Sequence, residues 1–207
     1  MKKLLMLALA MSMALTACGS KPEGEEIEMD EITEYNVADH AGDEKIVALG
    51  EVAPDIKLIA LDETEYRLSE YQGKPTLVFF WASWCGYCML ELPAIIELHE
   101  MYGDEINIVG VNCGDRLSDI EAVIKANNVE FDMFYTTVGD TLRFDAQSLP
   151  VTAILGADGV VEFYKKGGGD PNFMLNEQFI PTIDALLDGG VAANEADVEE
   201  VPAETAE

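Results

Sequence analysis

Basic residues are scarce in this chain. Twelve Lys and Arg stand against forty Asp and Glu in 207 residues, a formal net charge of −28. No basic patch relieves the acidity, so nucleic acid and anionic lipid headgroups are repelled, and no nucleic acid is expected among its partners. Histidine is scarcer still. His40 and His99 are the only two, and neither has a neighbour at metal-ligand spacing. There are four cysteines, at positions 18, 85, 88 and 113, and a single CxxC pair. A tetrahedral zinc site would therefore lack half its ligands, and no metal is expected. No internal repeat is present. The apolar run over residues 4–15 falls short of the ~20 residues that a comfortable membrane span needs.

That run suits another purpose. Lys2 and Lys3 precede it, and Leu15-Thr16-Ala17-Cys18 ends it. Basic, apolar, then small is the order of a secretory signal. The ending resembles the lipobox of bacterial lipoproteins, in which cleavage leaves the cysteine as a lipid-bearing N-terminus. This resemblance implies a signal peptide over residues 1–17, lipidation of Cys18, and an extracytoplasmic protein anchored to the cell membrane. Two or more acyl chains hold firmly, at ~0.8 kcal/mol per buried CH₂. Losing Lys2 and Lys3 with the signal, and no acid, takes the net charge to −30.

Residues 18–45 are acidic and lack sustained apolar periodicity, which predicts a disordered tether. Residues 189–207 carry only acids among their charges and predict a disordered tail. Between them, residues 46–188 form one domain's worth of chain, long enough to bury a core.

Within that domain, residues 56–61 alternate and predict a strand, with 66–68 pairing nearby. The stretch TLVFFW over 76–81 is continuously apolar, as in a central strand covered on both faces. Residues 86–102 predict a helix interrupted by Pro93, and 106–112 (INIVGVN) a second buried strand. Ser118 and Glu121 have capping-box spacing for a helix reaching Asn127. Residues 151–155 and 160–165 flank Ala157-Asp158-Gly159 and predict a hairpin. An amphipathic helix over 175–187 closes the domain despite Pro181. This order implies a sheet with parallel strands first and an antiparallel pair last, covered by helices.

Cys85 and Cys88 fall where the buried strand turns into the helix. A helix N-terminus offers unpaired N–H groups and the positive end of a dipole, which favour thiolate. The two-residue spacing lets Cys88 close a disulfide with Cys85 after Cys85 has attacked a partner disulfide. Such a pair suits exchange. A structural disulfide outside the cytosol is the alternative. A thiol peroxidase would place a Thr or Ser before a single cysteine, and a copper chaperone would use wider spacing and a histidine.

Trp81-Ala82-Ser83-Trp84-Cys85-Gly86-Tyr87-Cys88 followed by Glu91-Leu92-Pro93 resembles the TlpA/ResA group of thioredoxin-like, tethered disulfide reductases. Gly50-Glu51-Val52-Ala53-Pro54-Asp55 resembles that group's entry motif, Tyr71-Gln72-Gly73-Lys74-Pro75 its turn, and Leu149-Pro150-Val151-Thr152 its cis-proline loop. The resemblance spans residues 50–187. It implies an α/β, thioredoxin-like fold: a central mixed sheet flanked by helices, with an extra N-terminal β-hairpin.

The same resemblance implies roles. Cys85 attacks and Cys88 resolves, so the two form the redox-active disulfide. Pro150, in cis, exposes the Leu149 backbone to an extended substrate segment. Trp84, Gly86 and Tyr87 complete the candidate substrate-binding set, with Trp81 and Trp84 packing around the site. Thioredoxins proper carry a buried aspartate where this chain has Phe79. Glu91, on the helix face of Cys88, is the candidate proton acceptor in its place. Gly86-Tyr87 departs from the x-Pro common in the group, so the group's potential does not transfer. Cys113 is expected to be a buried free thiol.

The implied activity is thiol–disulfide reduction outside the cytoplasm by a monomer that needs no cofactor. The implied partners are oxidised secreted or membrane proteins, apocytochrome c or another redox enzyme among them. An integral-membrane thiol electron donor of the CcdA/DsbD type would re-reduce it. The alternatives are a disulfide-forming oxidase of the same fold and a non-enzymatic lipoprotein binding module.

Overall fold

A computed structural model describes residues 45–189. The signal peptide, Cys18, all but the last residue of the tether and all but the first of the tail lie outside the described residues.

One mixed sheet organises the domain. Its strands are β1 (Lys57–Ala60), β2 (Glu65–Arg67), β3 (Thr76–Trp81), β4 (Asn107–Asn112), β5 (Asp132–Tyr135), β6 (Val151–Leu155) and β7 (Val161–Lys166). They lie in the order β2-β1-β5-β4-β3-β6-β7. β3 is central and runs parallel to β4, which is parallel to β5. β6 and β7 add antiparallel strands on the other side. The β1–β2 hairpin joins antiparallel to β5, which makes it the extra N-terminal hairpin. This is a thioredoxin-like fold.

The apolar run of β3 explains its place. Leu77, Phe79 and Trp81 enter one core cluster with α1 (Gly86–Tyr102), while Val78 and Phe80 enter a second with Ile56, Leu58 and Phe144 on the opposite face. A strand apolar at every position satisfies both faces only from mid-sheet. On α1, Cys88, Glu91, Leu92, Ile95 and Leu98 are buried, which is the stripe that helical spacing predicts.

Several expectations need correction. α1 is not interrupted: Pro93 lies inside a continuous helix. It leaves one carbonyl without its helical donor, and packing of the buried stripe outweighs that loss. The capping box at Ser118 is absent. α2 (Leu117–Asn127) starts earlier, with Arg116 as its N-cap and no side-chain cap; Arg116 pairs with Asp119 at 3.0 Å instead. The last helix is not uniform. α4 (Pro171–Phe173) leads into a π-helical stretch, Met174–Phe179, before α5 (Ile180–Leu187). Pro181 has no N–H to return to the preceding turn, and the wider turn accommodates that break. No element is predicted over residues 128–148, although residues 129–133 (VEFDM) alternate apolar and polar as a half-buried strand does. The structure places β5 there and α3 (Val138–Arg143). No described helix is long and apolar enough to cross a membrane.

Candidate active site

β3 ends at Trp81, and four residues later Cys85 caps α1. Its backbone is extended (φ −84°, ψ 103°), and its Sγ accepts a hydrogen bond from the Cys88 N–H at 3.2 Å. A sulfur that accepts from the first turn of a helix is better stabilised as thiolate than one in water. Cys85 and Cys88 form a disulfide with a Cα–Cα separation of 5.2 Å. Their exposure differs in the direction that the chemistry needs. Cys85 is 7% exposed and Cys88 0%. Of the pair, only Cys85 keeps any surface, and Cys88 is fully enclosed.

The loop before Cys85 is held from a distance. The Ser83 N–H donates to Asp115 Oδ2 at 2.6 Å across 32 positions of sequence. The same oxygen accepts from Asn112 Nδ2 at 2.7 Å, and the Asp115 N–H returns a bond to Asn112 Oδ1 at 3.0 Å. The Cys113 N–H donates to the Trp81 carbonyl at 2.9 Å. The segment after β4 thus clamps the strand end that carries the cysteines. Its only trace in sequence is an Asn and an Asp three residues apart after a buried strand. Asp115→Ala removes two accepted bonds to a charged group. It should lower unfolding stability by about 1–3 kcal/mol, measured by urea denaturation of the oxidised protein.

Glu91 lies one helical step beyond Cys88 and is 2% exposed. Its Oε1 accepts from Thr152 Oγ1 at 2.7 Å, while Oε2 has no hydrogen-bond partner among the described residues. Burial pushes this carboxyl above the ordinary carboxylate range; the Thr152 hydroxyl and the Lys165 charge pull the other way without cancelling it. Phe79 sits buried opposite Thr152 in the β3–β6 ladder and offers no titratable group.

The remaining candidates divide. The Leu149–Pro150 bond is cis, the isomer that the resemblance implied. Leu149 packs against the cluster that contains Cys85 and Cys88, and the Pro150 carbonyl accepts from the Gly167 N–H at 2.8 Å. Trp81 is core, but Trp84 is 71% exposed and so does not pack around the site as expected; Tyr87 is 63% exposed. Leu90, one helical turn beyond Tyr87, is exposed as well. These apolar side chains ring the helix start and are available to a partner. A Cβ at Gly86 would meet nothing within 4 Å, so sterics do not demand glycine there. Cys113 is free and partly buried, and burial pushes its thiol up to about 12, far from thiolate at neutral pH. A cavity of about 190 Å³, lined by Pro54, Leu68, Tyr71, Thr76 and Leu155, opens at the start of β3, the opposite end from Cys85. It plays no part in this chemistry.

Comparison with known proteins agrees with the geometry. The AhpC/TSA family model matches residues 49–164. The thiol-disulfide oxidoreductase ResA of Geobacillus kaustophilus is 31% identical over 118 residues, covering 56% of this chain and 68% of ResA. The thioredoxin-like protein YneN of Bacillus subtilis is 30% identical over 116 residues, covering 55% and 68%. Among solved structures, a thioredoxin-family thiol:disulfide interchange protein from Chlorobium tepidum superposes with a TM-score of 0.56. It is 18% identical and covers 68% of this chain and 99% of its own, a likeness of fold.

Proposed function

The chain belongs to the AhpC/TSA family as a thioredoxin-like thiol–disulfide oxidoreductase, and on that premise we propose that it acts as a reductase outside the cytoplasm, held to the membrane by lipid on Cys18. The observation that carries this reading is the graded pair: a reachable Cys85 at the helix N-cap, a shielded Cys88, and a buried carboxyl on the same helix face.

The steps follow from that arrangement. In the reduced protein the Cys85 thiolate attacks one sulfur of a substrate disulfide. The substrate S–S bond breaks, one substrate sulfur leaves and takes a proton, and a mixed disulfide forms. Cys88 then passes its proton to the Glu91 carboxylate, and its sulfur attacks Cys85 Sγ. The mixed disulfide breaks, the second substrate sulfur departs as a thiolate and takes a proton from solvent, and Glu91 releases its proton to solvent. Two electrons have moved from the dithiol to the substrate, leaving the Cys85–Cys88 disulfide of the structure. An extended substrate segment pairs with the backbone of Leu149 beside Pro150, flanked by Trp84 and Tyr87. A membrane thiol carrier of the CcdA/DsbD type supplies the next two electrons. Substrates are oxidised secreted or membrane proteins, apocytochrome c among the class, and the enzyme works as a monomer.

The direction of electron flow is tested by the potential of the pair. Equilibration with glutathione or dithiothreitol should give a value near the ~−270 mV of thioredoxin; a value near ~−120 mV would identify an oxidase instead. A chain that fails to reduce insulin disulfides at all would be the binding module. For the anchor, Cys18→Ala should abolish metabolic labelling with palmitate and block signal processing. Labelling that persists in that variant would remove the tether from this account.

A further inference from the structure

The stretch Lys165-Lys166-Gly167-Gly168-Gly169 is left unexplained by the exchange chemistry. Its position in the ladder gives it a role. Thr152 of β6 lies directly between Phe79 of β3 and Lys165 of β7. Directly opposed residues share a face of the sheet, so Phe79, Thr152 and Lys165 form one row on the face that α1 covers. Glu91 reaches this row from α1 through its bond to Thr152.

Lys165 is held in that row by the glycines. Its Nζ donates to the Gly167 carbonyl at 2.9 Å, and the Gly167 N–H is bonded to Pro150. A Cβ at Gly169 would lie 3.0 Å from Lys165 Nζ, and one at Gly168 would lie 2.6 Å from Tyr87 Cβ. Side chains at these positions would press on the ammonium and on the active-site tyrosine, so three glycines let the turn close over both.

We propose that Lys165 is a positioning residue for Glu91: its ammonium, seated in the turn of glycines 167–169, supplies the positive charge against which the buried carboxyl ionises. This rests on the reading of Glu91 as proton acceptor. Among the described residues, the other elements around Glu91 offer no competing cation. α1 brings Cys85 and Cys88, both in the disulfide, and Tyr87, which lies on Gly168. β3 brings apolar Phe79 and Trp81, and β6 brings Thr152. The α4–π segment packs on α1, but its acids Asp170 and Glu177 are exposed, and Asp170 caps Phe173. Glu162 lies three residues back along β7. The direct contact, Thr152, is neutral, so the charge that favours ionisation comes from Lys165. This agrees with its downward pull on a carboxyl that burial pushes up.

The test is a carboxyl ¹³C NMR titration of the oxidised full-length chain, with Glu91→Gln assigning the resonance. In Lys165→Met, Glu91 should hold its proton to higher pH, with roughly tenfold greater proton affinity, about one pH unit. Lys165→Arg should restore the wild-type titration, because it returns the charge. Lys165→Gln serves if the methionine variant is misfolded by circular dichroism. The resolution step, followed by stopped flow, should move its pH profile in the same direction. An unmoved Glu91 titration in the charge-removing variants overturns the proposal whatever the kinetics. If the titration moves but Glu91→Gln resolves mixed disulfides at the wild-type rate, the Lys165–Glu91 coupling stands and the proton-acceptor reading fails.

Discussion

Cys88→Ser should stop turnover while leaving the first attack intact. Cys85 keeps its N-cap position and the slight exposure that Cys88 lacks, so it still opens a substrate disulfide. Serine oxygen cannot resolve the mixed disulfide that results, and the covalent adduct should accumulate to one substrate per enzyme. Cys85→Ser should form no such adduct, because the remaining sulfur is fully shielded. Non-reducing electrophoresis and intact mass after mixing with a disulfide peptide read both outcomes. Adducts of comparable yield from the two variants would show that exposure does not assign the attacking sulfur. The same trapping variant, used in cells, identifies the physiological partners.

Glu91→Gln is expected to slow resolution by roughly tenfold to a hundredfold, at the low end of a general-base contribution. The substitution keeps the shape and the acceptor for Thr152 but removes the titrating group. First attack by Cys85 should change less, and stopped flow between about pH 6 and 9 separates the two steps. Equal resolution rates across that range would leave Glu91 as a helix residue, with solvent as the base. Stability gives an independent check on its environment. Burial raises the folded-state proton affinity of Glu91 above its unfolded value. The folded state then binds the extra proton, so the stability linked to it is fully present below the ordinary carboxylate pKa of ~4.3. It is lost as pH rises through the higher folded value. Relative to wild type, Glu91→Gln should therefore gain stability as the pH is raised from 4 to 8, and little at the acid end.

The exposed rim suggests why Tyr87 occupies a position where x-Pro is common in similar proteins. Proline would stiffen the turn between the cysteines but could not lie across Gly168 as the tyrosine does. The contact joins the CxxC turn to the loop that also binds Pro150. A change at Tyr87 is therefore felt in both the CxxC turn and the cis-proline loop.

Local pattern alone determined much of this protein. The continuous run of β3 could be satisfied only from mid-sheet, and the residues after it began a helix, so the cysteines had to stand at a strand-to-helix junction. The stripe containing Cys88 and Glu91 followed from helical spacing in the same way, and so did the β6–β7 hairpin from its turn residues. Only the tertiary structure decided what surrounds the pair. Thr152 meets Glu91 across 61 positions of sequence, and Asp115 meets Ser83 across 32. Lys165 joins the row because of the register in which β7 pairs with β6. β5 takes up the end of an apolar–polar alternation over residues 129–133 that is legible in the sequence, whereas α3, six residues long, is too short to show a helical period and exists because neighbouring elements pack on it. Periodicity and turn chemistry act over a few residues and are written in the chain. Strand register acts between distant segments, and a shift of one residue would turn Thr152 and Lys165 to the opposite face.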